Sequence, residues 1–363
     1  MHYTIFKSAI GPIVLVGNKD GLTHLYVDNN TKEFSIDKDW IRDDGLFQEV
    51  KQQLNEYFSG ERKAFDLKLN PQGTDFQRKV WGELCRIPYG EAYTYKDVAV
   101  AIGNPKGSRA VGMANNKNPI PIIVPCHRVI GANKKLVGYA YGLPVKQHLL
   151  ELETITKVFD QLEEYYGPLN WWPASSDFEM MVGAILTQNT NWKNVECALS
   201  NFNGNLTPAR IEKIDNEELA ELIRPSGYHN QKAKKLKSLC AWFKQYSYAI
   251  DEARKVDGDR LREELLSING VGGETADSIL TYALNKTSFV IDAYTRRIFH
   301  RVGVDVPTDY DEFRGMIEGV VPNRLDVYRQ YHGLIVEHAK AFCLKSPKCD
   351  TCPLNGICAQ RIE

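Results

Sequence analysis

Over its 363 residues the chain has no run of about 18 apolar residues, so no helical membrane span is expected. Its first residues, MHYTIFKSAIGPIV, lack a basic segment followed by an apolar stretch and a small-residue cleavage site, and a cytoplasmic location is expected. Low-complexity tracts, internal repeats and a glycine- or proline-rich linker are also missing. A domain boundary must therefore lie within structured sequence, and 363 residues suit two domains or slightly more. No cysteine precedes Cys85, which leaves the first quarter of the chain without thiol ligands. From Val98 to Leu150 there is no acidic residue, although Lys106, Arg109, Lys117, Arg128, Lys134, Lys135 and Lys146 fall there. The chain as a whole is nearly neutral, with a net charge of −1. This local imbalance is either a solvated face or a surface for an anionic partner.

The residues that are present divide into two styles. Residues 1–70 alternate short apolar runs with turns ("YTIF", "PIVLVG", "LTHLYV") and predict a small antiparallel sheet. "LFQEVKQQLNEYFSG" has helical spacing and stops at a glycine. Helical periodicity then prevails, as in "DFEMMVGAILTQ", "AKKLKSLCAWFKQY" and "TADSILTYALN". The fold class expected is multidomain: an α+β first half of 1–70 and 71–154, then an all-α second half over 155–363.

Within "PIIVPCHRVIG", Cys126 sits between Pro125 and the pair His127-Arg128. A thiolate is a nucleophile, and basic or proton-carrying neighbours favour it. Upstream, Thr94 and Asp97 form a capping box, "GNPKG" is a turn, and Ser108 is placed to cap a second helix that carries Arg109. Helix, short turn and small-residue helix form the pattern of a helix-turn-helix. Cys85, Cys197 and Cys240 read as small hydrophobes.

On "RAVGMANNKNPIPIIVPCHRVIG" and "GYAYGLPVKQHLLELE", residues 1–153 resemble the O6-alkylguanine-DNA alkyltransferases. The resemblance implies a winged helix-turn-helix-like core in which Cys126 accepts the alkyl group and acts once. It implies that His127, through a water, and Glu153 relay the proton. Arg109 would fill the gap left by an extruded base, and Tyr95 would assist at the phosphate and base. Asn118 would tie down the segment before the thiol, Arg128, the last residue of the signature, would be among the residues that contact DNA or base, and Tyr139 would line the alkyl pocket. Two departures matter. Tyr141-Gly142 stands where many members have Gly-Gly, which narrows the expected pocket. The missing N-terminal cysteines mean that no zinc is expected in this domain.

In the second half, "NGVGG" places Gly270 and Gly272 between helical segments, which is either an ordinary turn or a hairpin that grips phosphate. Asp292, in "FVIDAYTRRIF", is either a helix cap or a catalyst. With "AILTQNTNW" and the terminal cysteines, residues of about 156–363 resemble the helix-hairpin-helix glycosylases of the endonuclease III superfamily. The resemblance implies that Asp292 stabilises an oxocarbenium-like sugar and helps activate water, and that Gln188 probes the duplex beside a flipped base. Bifunctional members carry a lysine 18 residues before the aspartate. Glu274 occupies that place here, and a carboxylate cannot form a Schiff base, so no lyase step is expected. Trp171, Trp172, Pro173 and Trp192 resemble the aromatic pocket of the endonuclease III-type 3-methyladenine glycosylases, suited to electron-poor alkylated purines. Mismatched thymine or uracil, oxidised bases, and a domain that only anchors the chain on DNA are the alternatives.

Cys343, Cys349, Cys352 and Cys358 are spaced C-x5-C-x2-C-x5-C, a set of thiolates for a [4Fe–4S] cluster or for zinc. The spacing resembles the superfamily's structural cluster, with one residue fewer in the first gap than the common form. Lys340, Lys345 and Lys348 could face phosphate. The expected partner is double-stranded DNA with alkylated bases. Neither a membrane nor an obligate protein partner is expected, which suggests a monomer.

Overall fold

A computed structural model describes residues 1–29, 31, 35–169 and 171–362. Three strands, β1 (His2–Ser8), β2 (Gly11–Asn18) and β3 (Gly21–Val27), form an antiparallel meander. A two-residue fourth strand, β4 (Ile41–Arg42), joins parallel to β1, so the sheet order is β3-β2-β1-β4. Residue alternation predicted the antiparallel part. The parallel edge is so short that it leaves no periodic signal. The helix Gln48–Phe58 lays Val50, Leu54, Tyr57 and Phe58 into the core and ends before Gly60.

The helix Tyr95–Ala101 starts with the expected capping box, since the Thr94 side chain accepts from the Asp97 amide and Asp97 bonds back to Thr94. The helix Ser108–Asn116 differs from expectation. Its cap is Gly107 with no side-chain bond, and Ser108 is already the first helical residue. The turn residues Asn104 to Gly107 close on themselves through Gly107 N–H to the Asn104 carbonyl at 2.8 Å, so the chain enters the helix without a hydroxyl cap. The two helices pack on each other and place Arg109 on an exposed face.

From Leu143 to Tyr166 runs one unbroken helix, through the boundary expected at 154–155. Its inward residues Leu149, Leu152, Ile155, Val158 and Leu162 are all buried. They belong to a core that includes Leu15, Leu25 and Val98 from the first half, and Phe289, Phe299, Phe313 and Tyr331 from the second. The Tyr331 hydroxyl donates to the Ile155 carbonyl at 2.6 Å, and its ring lies 4.8 Å from that of Phe159. A second core, around Met181, Ile185, Phe202, Leu236, Phe243 and Ile279, holds the remaining helices together. Among the described residues no helix is long and apolar enough to cross a membrane.

Two candidate active sites and a cysteine cluster

Pro125 caps a single 3-10 turn, Cys126–Arg128, that points the three side chains in different directions from one buried place. The loop before it is tightly held. The Asn118 amide donates to the Val124 carbonyl at 2.8 Å, while its oxygen accepts from the Ile120 amide at 3.0 Å. Asn115 donates to the Cys126 carbonyl at 3.2 Å. Cys126 is 5% exposed and faces a cavity lined also by Tyr95, Asn118, Tyr139 and Tyr141. Burial pushes the thiol up to about 11, against smaller opposing effects of Asn118 and the Lys146 charge. The thiol is therefore protonated at rest and needs a route for its proton.

The adjacent residue, His127, is held by a buried carboxylate. Its Nε2 lies 2.8 Å from Glu153 Oε1, and both side chains are fully buried. Arg128, expected among the DNA-contacting residues, is instead buried and binds the same carboxylate, with Nε 2.9 Å from Oε2 and Nη2 2.9 Å from Oε1. The Tyr57 hydroxyl donates to Oε1 at 2.8 Å and the Gly90 amide to Oε2 at 3.0 Å. Burial alone would raise the Glu153 carboxyl, but His127 and Arg128 outweigh it and hold it at about 2. A carboxylate only accepts, so His127 Nε2 carries the hydrogen and Nδ1 is the basic nitrogen. Nδ1 is buried and has no protein partner. Burial also lowers the His127 pKa, against the pull of Glu153, so the ring is neutral at rest and its Nδ1 lone pair is free of a proton.

Tyr95 is half-buried, with its hydroxyl 3.4 Å from the Val137 carbonyl. Tyr139 lines the cavity and its buried hydroxyl has no protein partner. Tyr141 is 3% exposed, bonds the Leu25 carbonyl at 3.2 Å and packs edge-on beneath Tyr139 at 6.1 Å. It is part of the cavity's lining. Sequence reasoning missed Tyr57, which lies 96 residues from its partner Glu153. It also gave no role to Lys146, whose buried ammonium ties the Val129 and Val137 carbonyls at 2.5 and 2.8 Å.

The second site forms where three helices meet. Asp292 caps the helix Ala293–Val302, its Oδ1 accepting from the Thr295 amide and hydroxyl, each at 2.7 Å. The cap and the candidate catalyst are thus one residue. Oδ2 faces His332 Nε2 at 3.7 Å, and the side chain keeps 13% exposure. Burial would raise this carboxyl, but His332 and Thr295 outweigh it and hold it below its ordinary value. Glu274 is exposed as a residue, yet desolvation of its carboxyl and the nearby Asp292 charge raise its pKa.

Trp172 stands at the centre of an aromatic cluster. Its ring lies 5.4 Å from Trp171, 5.8 Å from Trp192 and 4.9 Å from Tyr282. The tryptophan pairs are edge-to-face rather than parallel. Pro173 is exposed, outside these ring contacts. Tyr282 and His332 were missed from the sequence, where each reads as a core position of a helix.

Gly270 has φ 82, and a Cβ there would stand 2.3 Å from Lys235 Cε, so only glycine fits. Gly272 is exposed and caps the helix Gly273–Tyr282, with open space where a side chain would be. Gln188 is held against this hairpin. Its amide donates to the Gly270 carbonyl at 3.1 Å and to Thr275 at 3.0 Å, and it accepts from Lys235 at 2.5 Å. To reach a duplex it must exchange those bonds for new ones.

Cys343, Cys349, Cys352 and Cys358 line one cavity together with Arg301 and His338. None of the four is in a disulfide. Arg301 donates to Cys343 Sγ at 3.3 Å and the Gln360 amide to Cys358 Sγ at 3.4 Å, while His338 Nε2 lies 3.5 Å from Cys352 Sγ. Such N–H···S contacts stabilise thiolates that hold a metal group. Among the described residues no three ligands meet at the spacing of a single-ion site.

Comparison with known proteins agrees with this division. Residues 1–71 match the ribonuclease-like domain of 6-O-methylguanine DNA methyltransferases, and residues 75–155 match their DNA-binding domain. Residues 182–322 match the HhH-GPD superfamily of base excision DNA repair proteins. A methylated-DNA–protein-cysteine methyltransferase of Methanosarcina barkeri is 57% identical over 153 residues, 42% of this chain and 97% of that protein. A Methanocaldococcus jannaschii protein that carries the name of a DNA repair glycosylase is 49% identical over 216 residues, 58% of this chain and 98% of that one. A non-covalent endonuclease III–DNA complex shares the second fold, with a TM-score of 0.50 and 22% identity over 58% of this chain and 95% of that one. The chain therefore belongs to two families in succession, the 6-O-methylguanine DNA methyltransferases and the HhH-GPD base excision repair glycosylases.

Proposed function

We propose that the chain repairs alkylated DNA by two independent chemistries. In the first, the sulfur of Cys126 attacks the alkyl carbon of an O6-alkylguanine swung out of the duplex. The carbon–O6 bond breaks as the carbon–sulfur bond forms, the base leaves as guanine after taking up a proton, and the thiol proton passes through a water to His127 Nδ1. Glu153 holds the resulting imidazolium. The S-alkylcysteine has no leaving group for return, so each molecule turns over once. The observations that carry this reading are a buried thiol facing a cavity and, at the next residue, a buried imidazole held by Glu153 with its Nδ1 unpartnered.

In the second, Asp292 faces the sugar of a flipped N-alkylated purine of the 3-methyladenine type. The glycosidic electron pair leaves with the base, the carboxylate stabilises the cationic sugar, and water adds to C1′, leaving an abasic site. The aromatic cluster of Trp171, Trp172, Trp192 and Tyr282 offers the π-faces that hold an electron-poor ring. Glu274 in the lysine position supports hydrolysis without a Schiff base.

The four C-terminal cysteines, with their N–H donors, fit a [4Fe–4S] cluster. It would be structural, tying the end of the helix Leu325–Ala341 to the helix Ala293–Val302 that Asp292 caps. The partner is double-stranded DNA, acted on by a monomer in the cytoplasm.

A panel of duplexes, each with one lesion, tests both halves. Covalent label transfer is expected from O6-methylguanine alone, and base release from N-methylated purines without strand cleavage. Release confined to mismatched thymine, uracil or oxidised bases would overturn the substrate assigned to the second half. Release of none would leave it as a DNA anchor.

A further inference from the structure

Asp292 splits its two oxygens between tasks. Oδ1 is fully used by the amide and hydroxyl of Thr295. Oδ2 faces His332 Nε2 at 3.7 Å. That nitrogen is buried and has no hydrogen-bond partner, a costly state for a polar atom. A few tenths of an ångström of closure would make the bond, and catalytic contacts commonly tighten when substrate enters. The ring's other nitrogen is already fixed, with Nδ1 2.8 Å from the Tyr282 hydroxyl. Trp171 meets the imidazole edge-on at 5.0 Å and 85°. The next residue, Gly333, lies so near Trp171 that a Cβ would stand 2.8 Å from that side chain. The imidazole is thus a rigid part of the wall that carries the base pocket.

We infer that His332 is a positioning residue for Asp292. The Asp292 carboxylate can only accept, so Nε2–H donates to Oδ2 and aims it at the sugar, and Nδ1 is left to accept from the Tyr282 hydroxyl, which anchors the ring. The inference rests on the reading of Asp292 as the group that stabilises the sugar cation. Nothing in the periodicity of "VYRQYHGLIVEH" separates this histidine from the core residues around it.

The test is single-turnover release of N-methylated purines from methylated duplex DNA by the full-length protein. Asp292→Asn, His332→Leu, His332→Gln and Tyr282→Phe are compared, and undiminished alkyl transfer in the same samples reports folding. His332→Leu is expected to lower the rate constant at saturating protein by about 10- to 100-fold, the equivalent of one hydrogen bond to a charged group, with half-saturation unchanged. His332→Gln, whose amide nitrogen reaches the Nε2 position, is expected to recover most of the rate, and Tyr282→Phe to fall between. A His332→Leu rate equal to wild type beside an inactive Asp292→Asn would overturn the inference alone. Equal losses in His332→Leu and His332→Gln would do the same. A fully active Asp292→Asn would instead remove the reading beneath it.

Discussion

Glu153 shows how one buried carboxylate can organise an active site. It receives bonds from His127, Arg128, Tyr57 and the Gly90 amide. Breaking a buried pair by removing one partner costs about 3–5 kcal/mol, so Glu153→Gln should destabilise the first half by about that much in chemical denaturation. Its folded pKa is depressed to about 2 from an ordinary 4.5. The stability it contributes is therefore complete above about pH 4.5 and is lost as pH falls toward 2. A melting temperature that varies equally with pH in wild type and Glu153→Gln over that window would contradict this. Tyr141 lines the cavity that Cys126 faces, with its hydroxyl fixed on the Leu25 carbonyl, and is the wall proposed to limit the alkyl group. Tyr141→Gly should raise the rate for benzyl relative to methyl groups, at a stability cost of about 3–5 kcal/mol. An unchanged rate ratio would show that the wall does not limit size. The signature residues Cys126, His127 and Arg128 were legible because they are contiguous. Tyr57, Tyr282 and His332 were not, because their roles come from neighbours distant in sequence and their own helices explain their burial.

Helices and turns carry the next level. The capping box at Thr94 follows directly from residue spacing, whereas the expected hydroxyl cap at Ser108 did not form because the preceding turn delivers Gly107 to that place. The hairpin at Gly270 was visible as a glycine pattern, and the structure supplies its reason: a positive φ pressed against Lys235. Gly270→Ala should cost about 1–2 kcal/mol for the left-handed backbone alone. It should also weaken duplex binding by displacing Lys235 and Gln188, measured as an increased dissociation constant. Unchanged binding in a destabilised variant would separate the hairpin's shape from its grip on DNA. The parallel edge strand β4 was not legible, since two residues carry no periodicity.

At the scale of the molecule, the chain is less divisible than its two chemistries suggest. The sequence has no linker near residue 154, and the structure has there a continuous helix whose buried face serves both halves. Periodicity reports a helix but not how many partners its apolar face has, so the shared core could not be read from sequence. Removing residues 167–363 uncovers Leu152, Ile155, Val158 and Leu162, each at most 1% exposed in the whole chain. The remaining first half should melt at a lower temperature than the same half within the intact protein. Equal melting temperatures would show that the common core contributes nothing. Mechanical union still leaves separate chemistry, because the thiol relay and the Asp292 pocket share no side chain.

The most direct measurement follows both reactions in one sample of full-length protein, with Cys126→Ala and Asp292→Asn each compared to wild type. Cys126→Ala should lose all label transfer from O6-methylguanine and keep release of N-methylated purines, and Asp292→Asn should show the reverse. A folded single variant in which both reactions disappear, or in which the targeted reaction persists, would contradict the account.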